Sequence, residues 1–374
     1  MSKQKVVLVT NIPNQYRIPL FNELHQQLKK SGRELHVVFG AMGYQKRKSI
    51  IDLSECDFRY EALQEGLLQK VENKTGFLFY GGLLSVLRKL KAERVIVAGY
   101  SLATIKIWCR SFFSKTDYFI WSGSIKREGE QISFLRSFQR KLLIRRAKGF
   151  IAYGLLAKKN FEVLGAEAFK VVAVGNTVDT NFFEKETDRI RKTIPLSKKK
   201  HITYIGYLTP RKNVQVLIHT IKELSKLRND FVLDVIGDGE SREELEELVL
   251  LNNLKENILF HGFQQKKELP NFLALSNCFL FQTNFDIWGL VLNEAMAAGI
   301  PCLSSVNAGA TEDLIEEGVT GFKVNFAESK RVAEKINWIL NNPSEMTELG
   351  RKGSHFIASN YSLSRCAERI ISIV

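Results

Sequence analysis

The chain is poor in proline, with seven residues in 374, and poorer in cysteine, with five. It carries no low-complexity tract and no short repeat, which sets aside fibrous, solenoid and disordered architectures. Cys56, Cys109, Cys278, Cys302 and Cys366 are odd in number and scattered, with no CxxC pair. That pattern speaks against a disulfide framework or a cysteine zinc site and for reduced thiols. The six histidines show no ligand spacing, so no metal is expected. Long apolar runs are also missing: "GFLFYGGLLSVL" at 76–87 is well short of the ~20 residues that span a bilayer. The opening "MSKQKVVLVT" lacks the charged, apolar and small-residue succession of a signal peptide. The expected location is cytoplasmic.

What remains is the composition of a folded globular protein, 45% hydrophobic and 25% charged. At this length two domains are the default. Charge is unevenly placed. Residues 1–185 hold 31 Lys and Arg against 16 Asp and Glu, whereas residues 186–374 hold 23 against 24. The basic surplus therefore belongs to the first half, where a membrane surface, a nucleic acid or an anionic substrate would each account for it.

Apolar, β-rich runs alternate with helical patterns throughout. "KVVLVT", "ELHVVFG", "RVIVAGY", "DYFIWSG", "GFIAYG" and "KVVAVG" read as strands, mostly continuous rather than alternating, as parallel strands covered on both faces do. Helices are expected at 16–31, 76–92, 131–148 and 155–164. The charged stretch "FFEKETDRIRKTIPLSKKK" (182–200) reads as a linker. Beyond it "HITYIGYL", "FVLDVIGDG", "NILFHG", "CFLFQT", "PCLSSV" and "GFKV" restart the same grammar. The fold expected is α/β, two Rossmann-like doubly wound domains over 1–183 and 184–355 with a cleft between them. A last helix at about 356–374 is expected to pack back on the first domain.

The segment "FDIWGLVLNEAMAAGIP" (285–301) is apolar or small from Gly289 to Pro301 except at Asn293 and Glu294. A carboxylate in such a helix is costly to bury unless it is paired. Either Asn293 and Glu294 form a solvated stripe, or Glu294 accepts hydrogen bonds from ligand hydroxyls such as a ribose. Gly289 allows close approach, and the amides at 289–291 make an anion site. "YIGYLTPRKNVQVLI" (204–218) ends a strand at Gly206 and carries Arg211 and Lys212 into a helix with Asn213 as the cap. That pair is either a solvated helix start or a complement for a diphosphate. "VIGDGE" lacks the third glycine of a dinucleotide loop and reads as a tight turn. In the first half, Asn11, Asn14, Tyr16 and Arg17 follow the first strand, as loop polarity or as acceptor contacts. "FLRSFQRKLLIRRAKGF" (134–150) is a basic amphipathic helix, which either covers the sheet or lies on anionic lipid.

These pieces resemble the family-4 retaining glycosyltransferases of the GT-B fold. The resemblance is carried by "YIGYLTPRKNVQVLIHTIKEL", "VIGDGE", "ILFHGF" and above all "FDIWGLVLNEAMAAGIPCLSSVNAGATEDLIEEGVTGFKV". It is specific from about residue 200 to 325 and weaker through "NIPNQYRIPLFNEL" and "VVAVGNTVDTNFF". It implies a nucleotide-sugar donor, UDP foremost, with Glu294 on the ribose, the amides of Gly289, Leu290 and Val291 on the distal phosphate, and the backbone at Gly262 and Phe263 on the base. Gly206 would border the donor, and Asp286, Arg211 and Lys212 would carry catalysis without a metal or cofactor. The acceptor, a glycan or lipid-linked sugar of cell-surface polysaccharide assembly, would meet Asn14, Tyr16, Arg17 and Ser122.

Four positions depart from the family pattern. Asp286 replaces the usual first Glu, Gly206-Tyr207-Leu208 replaces Gly-Arg-Leu, and "WSGS" places Ser122 where a histidine is common. "PNQYR" replaces a Gly-Gly loop, which implies a different acceptor subgroup. A weakened, GT-B-like binding protein is the alternative, and a basic nucleic-acid binder a further one, without a recognised nucleic-acid motif. An inner membrane face is the expected anionic partner of the basic half, and no nucleic acid is expected.

Overall fold

The computed structural model describes residues 4–42, 52–63, 67–68, 77–126, 133–195 and 197–374. The chain divides into two compact units, residues 1–178 with 363–374, and residues 179–362.

The first unit contains β1 (Gln4–Thr10), α1 (Ile18–Lys30), β2 (Arg33–Phe39), β3 (Arg59–Ala62), a two-stranded ribbon of β4 (Leu67–Leu68) and β5 (Phe77–Leu78), α2 (Leu83–Lys89), β6 (Arg94–Ala98) and α3 (Leu102–Arg110). It continues with β7 (Asp117–Ser122), α4 (Phe134–Arg146), β8 (Gly149–Ala152), α5 (Leu155–Val163) and β9 (Val171–Ala173). Seven strands form one parallel sheet in the order β3-β2-β1-β6-β7-β8-β9. Strand order reverses between β1 and β6. In an open α/β sheet the carboxyl ends of the strands at such a reversal are where ligands bind. The strands are buried along their middles because helices cover both faces, as the continuous apolar runs require. Leu20, Leu24 and Leu28 of α1 pack one face, and residues of α2 to α5 pack the other.

The second unit opens with α6 (Thr180–Arg191) and β10 (Lys200–Ile205), then α7 (Gln215–Ser225), β11 (Phe231–Ile236), α8 (Arg242–Leu251), β12 (Ile258–Gly262), α9 (Leu269–Leu275) and β13 (Ser276–Phe281). It closes with α10 (Leu290–Ala297), β14 (Cys302–Ser305), α11 (Gly309–Leu314), β15 (Phe322–Val324), α12 (Ser329–Asn341) and α13 (Pro343–Tyr361). Its six strands are all parallel, in the order β12-β11-β10-β13-β14-β15, with the reversal between β10 and β13. Each unit is thus Rossmann-like.

Two expectations change. The charged stretch at 182–200 begins as helix α6 rather than linker. Asp179 caps it by accepting from the Phe182 amide at 3.1 Å, and Phe183, Thr187 and Ile190 bury one stripe among abundant surface charge. Burying the Phe183 side chain alone contributes roughly 2–3 kcal/mol, and this helix opens the second unit at residue 179. At the other end, the predicted helix over 356–374 is divided. α13 runs to Tyr361, Ser362 is extended, and α14 (Leu363–Ile371) lies in the first unit. There Cys366, Ala367 and Ile370 join the α1 face, and Ser364 accepts from the Gln27 side chain. Helix α3 has no counterpart among the predicted segments. Among the described residues no helix is long and apolar enough to cross a membrane.

Candidate functional site

In the second unit the loops after β10 and β13 meet beside the strand-order reversal. The turn at 209–213 docks on residues 283–286: the Asn284 amide donates to the Arg211 carbonyl at 3.0 Å, and the Asn213 side chain donates to Asn284 Oδ1 at 3.2 Å. Asn213 is therefore not the helix cap expected of it. It takes a positive φ of 45° and ties two loops together. Lys212 Nζ donates to Asp286 Oδ2 at 2.5 Å, and Arg211 lies 3.5 Å from the same oxygen. Lys212 is buried, which lowers its pKa against the opposing pull of Asp286. Arg211 is exposed and spends one nitrogen on the Phe285 carbonyl. The two basic neighbours thus differ: Lys212 is an interior counter-ion, and Arg211 is a surface cation.

The Asp286 loop is fixed from its other side as well. Its carbonyl accepts from the Gly309 amide at 2.9 Å, and a Cβ on Gly309 would lie 2.1 Å from the Ile287 carbonyl oxygen. Gly289 then starts α10 at φ +111°, and a Cβ there would lie 2.0 Å from the Phe281 ring. Both the left-handed backbone and the contact demand glycine. No side chain caps α10, so the first amides, at Leu290 and Val291, have no intrahelical acceptor.

Asn293 and Glu294, which a solvated stripe would expose, are both buried. Asn293 accepts from Trp288 Nε1 at 2.9 Å and is explained by packing. Glu294 is not. It is 9% exposed, and its Oε2 has no hydrogen-bond partner. Burial pushes its pKa up to about 7, with Lys266 pulling weakly the other way. One turn after Leu290, this is a carboxylate with an open acceptor and a raised affinity for protons.

The carboxyl ends of β10, β11 and β12 are laced by glycines. Gly206 donates its amide to Ile236, Gly237 donates to Gly262, and a Cβ on Gly237 would lie 1.8 Å from the Gly206 carbonyl oxygen. "VIGDGE" is the tight turn expected of it, and Gly262 and Phe263 sit at the same edge. The Tyr204 hydroxyl, which sequence reasoning passed over, is buried without a partner. Burial raises its pKa, with the Asp286 charge adding to the effect. Nothing in an apolar strand marks such a group, because its neighbours come from other loops.

A second polar cluster also escaped the sequence. Asp234 on β11 accepts from His201 Nδ1 at 2.6 Å and from His261 Nε2 at 2.7 Å. Burial opposes its ionisation, but the two histidine hydrogen bonds outweigh that and hold its pKa below the ordinary value. The three residues sit on adjacent strands, far apart in sequence. Among the described residues no group of three or more His, Cys, Asp and Glu could hold a metal ion.

In the first unit, Asn14, Tyr16 and Arg17 follow β1, and Ser122 ends β7. Asn14 donates to Ile12, and Ser122 Oγ accepts from the Ser124 amide at 3.0 Å. Arg17 is buried and lies against Tyr16, Trp121 and Tyr153. The last two of these were not anticipated. Helix α4 inverts part of its expected amphipathicity. Leu143 and Ile144 are buried, but Phe134 is 81% and Leu135 74% exposed, with Phe138 also outward.

Residues 185–356 match the family described as "Glycosyl transferases group 1". "Spore coat protein SA" of Bacillus subtilis is 27% identical over 202 residues, 52% of this chain and 53% of that protein. A "GDP-mannose-dependent alpha-(1-6)-phosphatidylinositol monomannoside mannosyltransferase" of Mycolicibacterium smegmatis is 25% identical, over 53% of this chain and 54% of its own. The chain spans about half the length of the curated relatives it matches. Among solved structures, Anabaena Alr3699/HepE in complex with UDP aligns with a TM-score of 0.76 at 17% identity, over 99% of this chain and 98% of that one. Sucrose-phosphate synthase from Thermosynechococcus elongatus aligns with the same TM-score and the same identity and coverages. Likeness at this identity speaks for the fold, two successive Rossmann-like domains as in GT-B proteins.

Proposed function

We propose, from the match of residues 185–356 to the glycosyl transferases group 1 family, that the protein transfers a sugar from a nucleotide donor, UDP-linked, to a glycan or lipid-linked acceptor in cell-surface polysaccharide assembly. The observation that carries this reading is Glu294. A buried carboxylate with an unpartnered oxygen, one turn into a helix whose first amides are free, suits a ribose and its diphosphate. Ribose hydroxyls would donate to Glu294, and the amides of Leu290 and Val291 at the Gly289 turn would hold the distal phosphate, helped by the helix dipole. The base would rest at Gly262 and Phe263, with Gly206 beside it.

Arg211 supplies the positive charge for the departing diphosphate. Lys212 acts through Asp286, holding that carboxylate in place. Preorganised charge of this kind contributes about 3–4 kcal/mol per removed donor in other enzymes. With the donor's own phosphate oxygen taking the acceptor proton, the anomeric configuration is retained and no metal or cofactor is required. Asn14, Tyr16, Arg17 and Ser122 of the first unit form the acceptor side. The outward Phe134, Leu135 and Phe138, interleaved with Arg136, Lys141 and Arg145, suit a peripheral position on an anionic cytoplasmic membrane face.

A second reading, a binding protein with weakened catalysis, is favoured by the Lys212–Asp286 ion pair, which occupies the acid. Two substitutions separate the readings. Glu294→Ala should remove stabilisation by nucleotides in a thermal-shift panel of UDP, GDP and ADP. Asp286→Ala should keep that stabilisation and lose turnover of the UDP-sugar. Turnover in both variants would overturn the site assignment, and a wild-type chain stabilised by UDP with no transfer would favour the second reading.

A further inference from the structure

Arg17 sits in an electrostatically unusual place. It is 8% exposed, and its guanidinium lies 4.5 Å from the Trp121 ring centre, 5.0 Å from that of Tyr153 and 5.5 Å from that of Tyr16. One nitrogen, Nη2, donates to the Tyr153 hydroxyl at 2.5 Å. Burial works against its charge, and the phenols of Tyr153 and Tyr16 outweigh that and hold its pKa above the ordinary value. Burial keeps the Tyr153 phenol neutral by raising its pKa. Among the described residues no carboxylate forms an ion pair with Arg17.

A guanidinium in an aromatic box gains cation–π attraction, but a buried charge without an opposite charge still costs several kcal/mol. Its position makes matters worse: Arg17 immediately precedes α1, where the helix dipole is positive. A second group nearby is also unsatisfied. Trp121 Nε1, in a side chain 4% exposed, has no hydrogen-bond partner. A buried cation without an opposite charge and a buried donor without an acceptor thus lie near the carboxyl ends of β1 and β7, at the edge where this sheet reverses strand order. Tyr16 and Tyr153 are half-buried, so the box opens to solvent at the phenols.

We propose that the Arg17 box, with Tyr16, Trp121 and Tyr153, binds an oxyanion, and that the acceptor substrate is therefore anionic, carrying a phosphate or a carboxylate next to the sugar that is extended. The proposal rests on the first unit being the acceptor side. A phosphate would come from a phosphorylated or lipid-phosphate-linked sugar, a carboxylate from a uronic acid. Both accept from a guanidinium fork in the same way, so the probes must tell them apart.

The test uses the full chain in a dilute, phosphate-free buffer, first with UDP alone and then with UDP at saturation plus methyl phosphate, glucuronate or neutral methyl glucoside. Melting is followed for wild type, Arg17→Met and Tyr153→Phe. Wild type should be stabilised by methyl phosphate, glucuronate or both, and not by methyl glucoside. Whichever acid acts identifies the source. Arg17→Met should weaken that anion at least tenfold while melting, without ligand, no lower than wild type, because it removes an uncompensated buried charge and keeps most of the volume. Tyr153→Phe keeps the ring but removes the hydroxyl that accepts from Arg17 Nη2, which frees that nitrogen. This variant should bind the anion more tightly than wild type, so the test survives if Arg17→Met does not fold. Equal effects of anions and methyl glucoside on wild type, or anion stabilisation unchanged in Arg17→Met, would overturn the proposal. So would an Arg17→Met chain that melts below wild type while Tyr153→Phe shows no anion effect, since Arg17 would then be a structural keystone. Absence of stabilisation by UDP alone would instead overturn the donor reading, and the two failures are distinct.

Discussion

Replacing Glu294 by glutamine isolates the unusual carboxylate with little change in volume. Its ordinary pKa is 4.5, and burial raises it to about 7 in the folded chain. Between those values the folded state binds more protons than the unfolded state, so stability falls as pH rises. The contribution is fully present below about pH 4.5 and is lost as pH passes 7. At ~1.36 kcal/mol per unit, ionised Glu294 costs the free protein on the order of 3 kcal/mol at pH 8.5. Glu294→Gln should match wild type within about 1 kcal/mol at pH 5 and exceed it by roughly 3 kcal/mol at pH 8.5. Urea unfolding followed through the tryptophans checks this, with Trp288 and Trp338 reporting the second unit and Trp108 and Trp121 the first. A difference independent of pH, or a variant less stable than wild type at pH 8.5, would show that Glu294 is not a carboxylate strained by burial. The same carboxylate should release a proton on binding UDP near pH 6, because donated hydroxyls favour its charged form.

Further substitutions probe the rest of the site. Gly289→Ala forces a Cβ to 2.0 Å from the Phe281 ring at φ +111° and should cost on the order of 3 kcal/mol in denaturant unfolding, with nucleotide binding lost. Asp286→Asn leaves the buried Lys212 without its counter-ion and should lower stability by about 3 kcal/mol and abolish turnover. Asp234, whose pKa is held below its ordinary value, stabilises the fold above about pH 4. That contribution disappears as pH falls further, and an Asp234→Asn chain should lack this part of the acid transition. Product from an α-linked donor should be α-linked by NMR, with turnover unchanged in EDTA. Flotation with anionic liposomes should carry the protein, and Phe134→Ser with Phe138→Ser should release it.

The parallel sheets were legible because strands buried on both faces are written as unbroken apolar runs, "KVVLVT" and "FVLDVI" among them. Helix α6 was not, because its four buried residues lie among seven charged or amide neighbours, where composition reads as a linker. Glu294 stood out by contrast with the apolar residues around it, and Gly289 by its place at a helix start. The partnership of Lys212 with Asp286, 74 residues apart, could not be read from spacing, and it makes one of two adjacent basic residues a buried counter-ion while the other stays exposed. Tyr204, Trp121, Tyr153 and the Asp234 histidines stayed hidden for one reason: each acquires its meaning from strands and loops distant in sequence.

A crystal structure of the chain with UDP would show where the nucleotide lies relative to Glu294. Ribose oxygens should lie within hydrogen-bonding reach of the Glu294 carboxylate, about 2.6–3.2 Å, with the distal phosphate against the amides of Leu290 and Val291. UDP bound elsewhere, or a Glu294 carboxylate still without a partner when UDP is present, would contradict that placement.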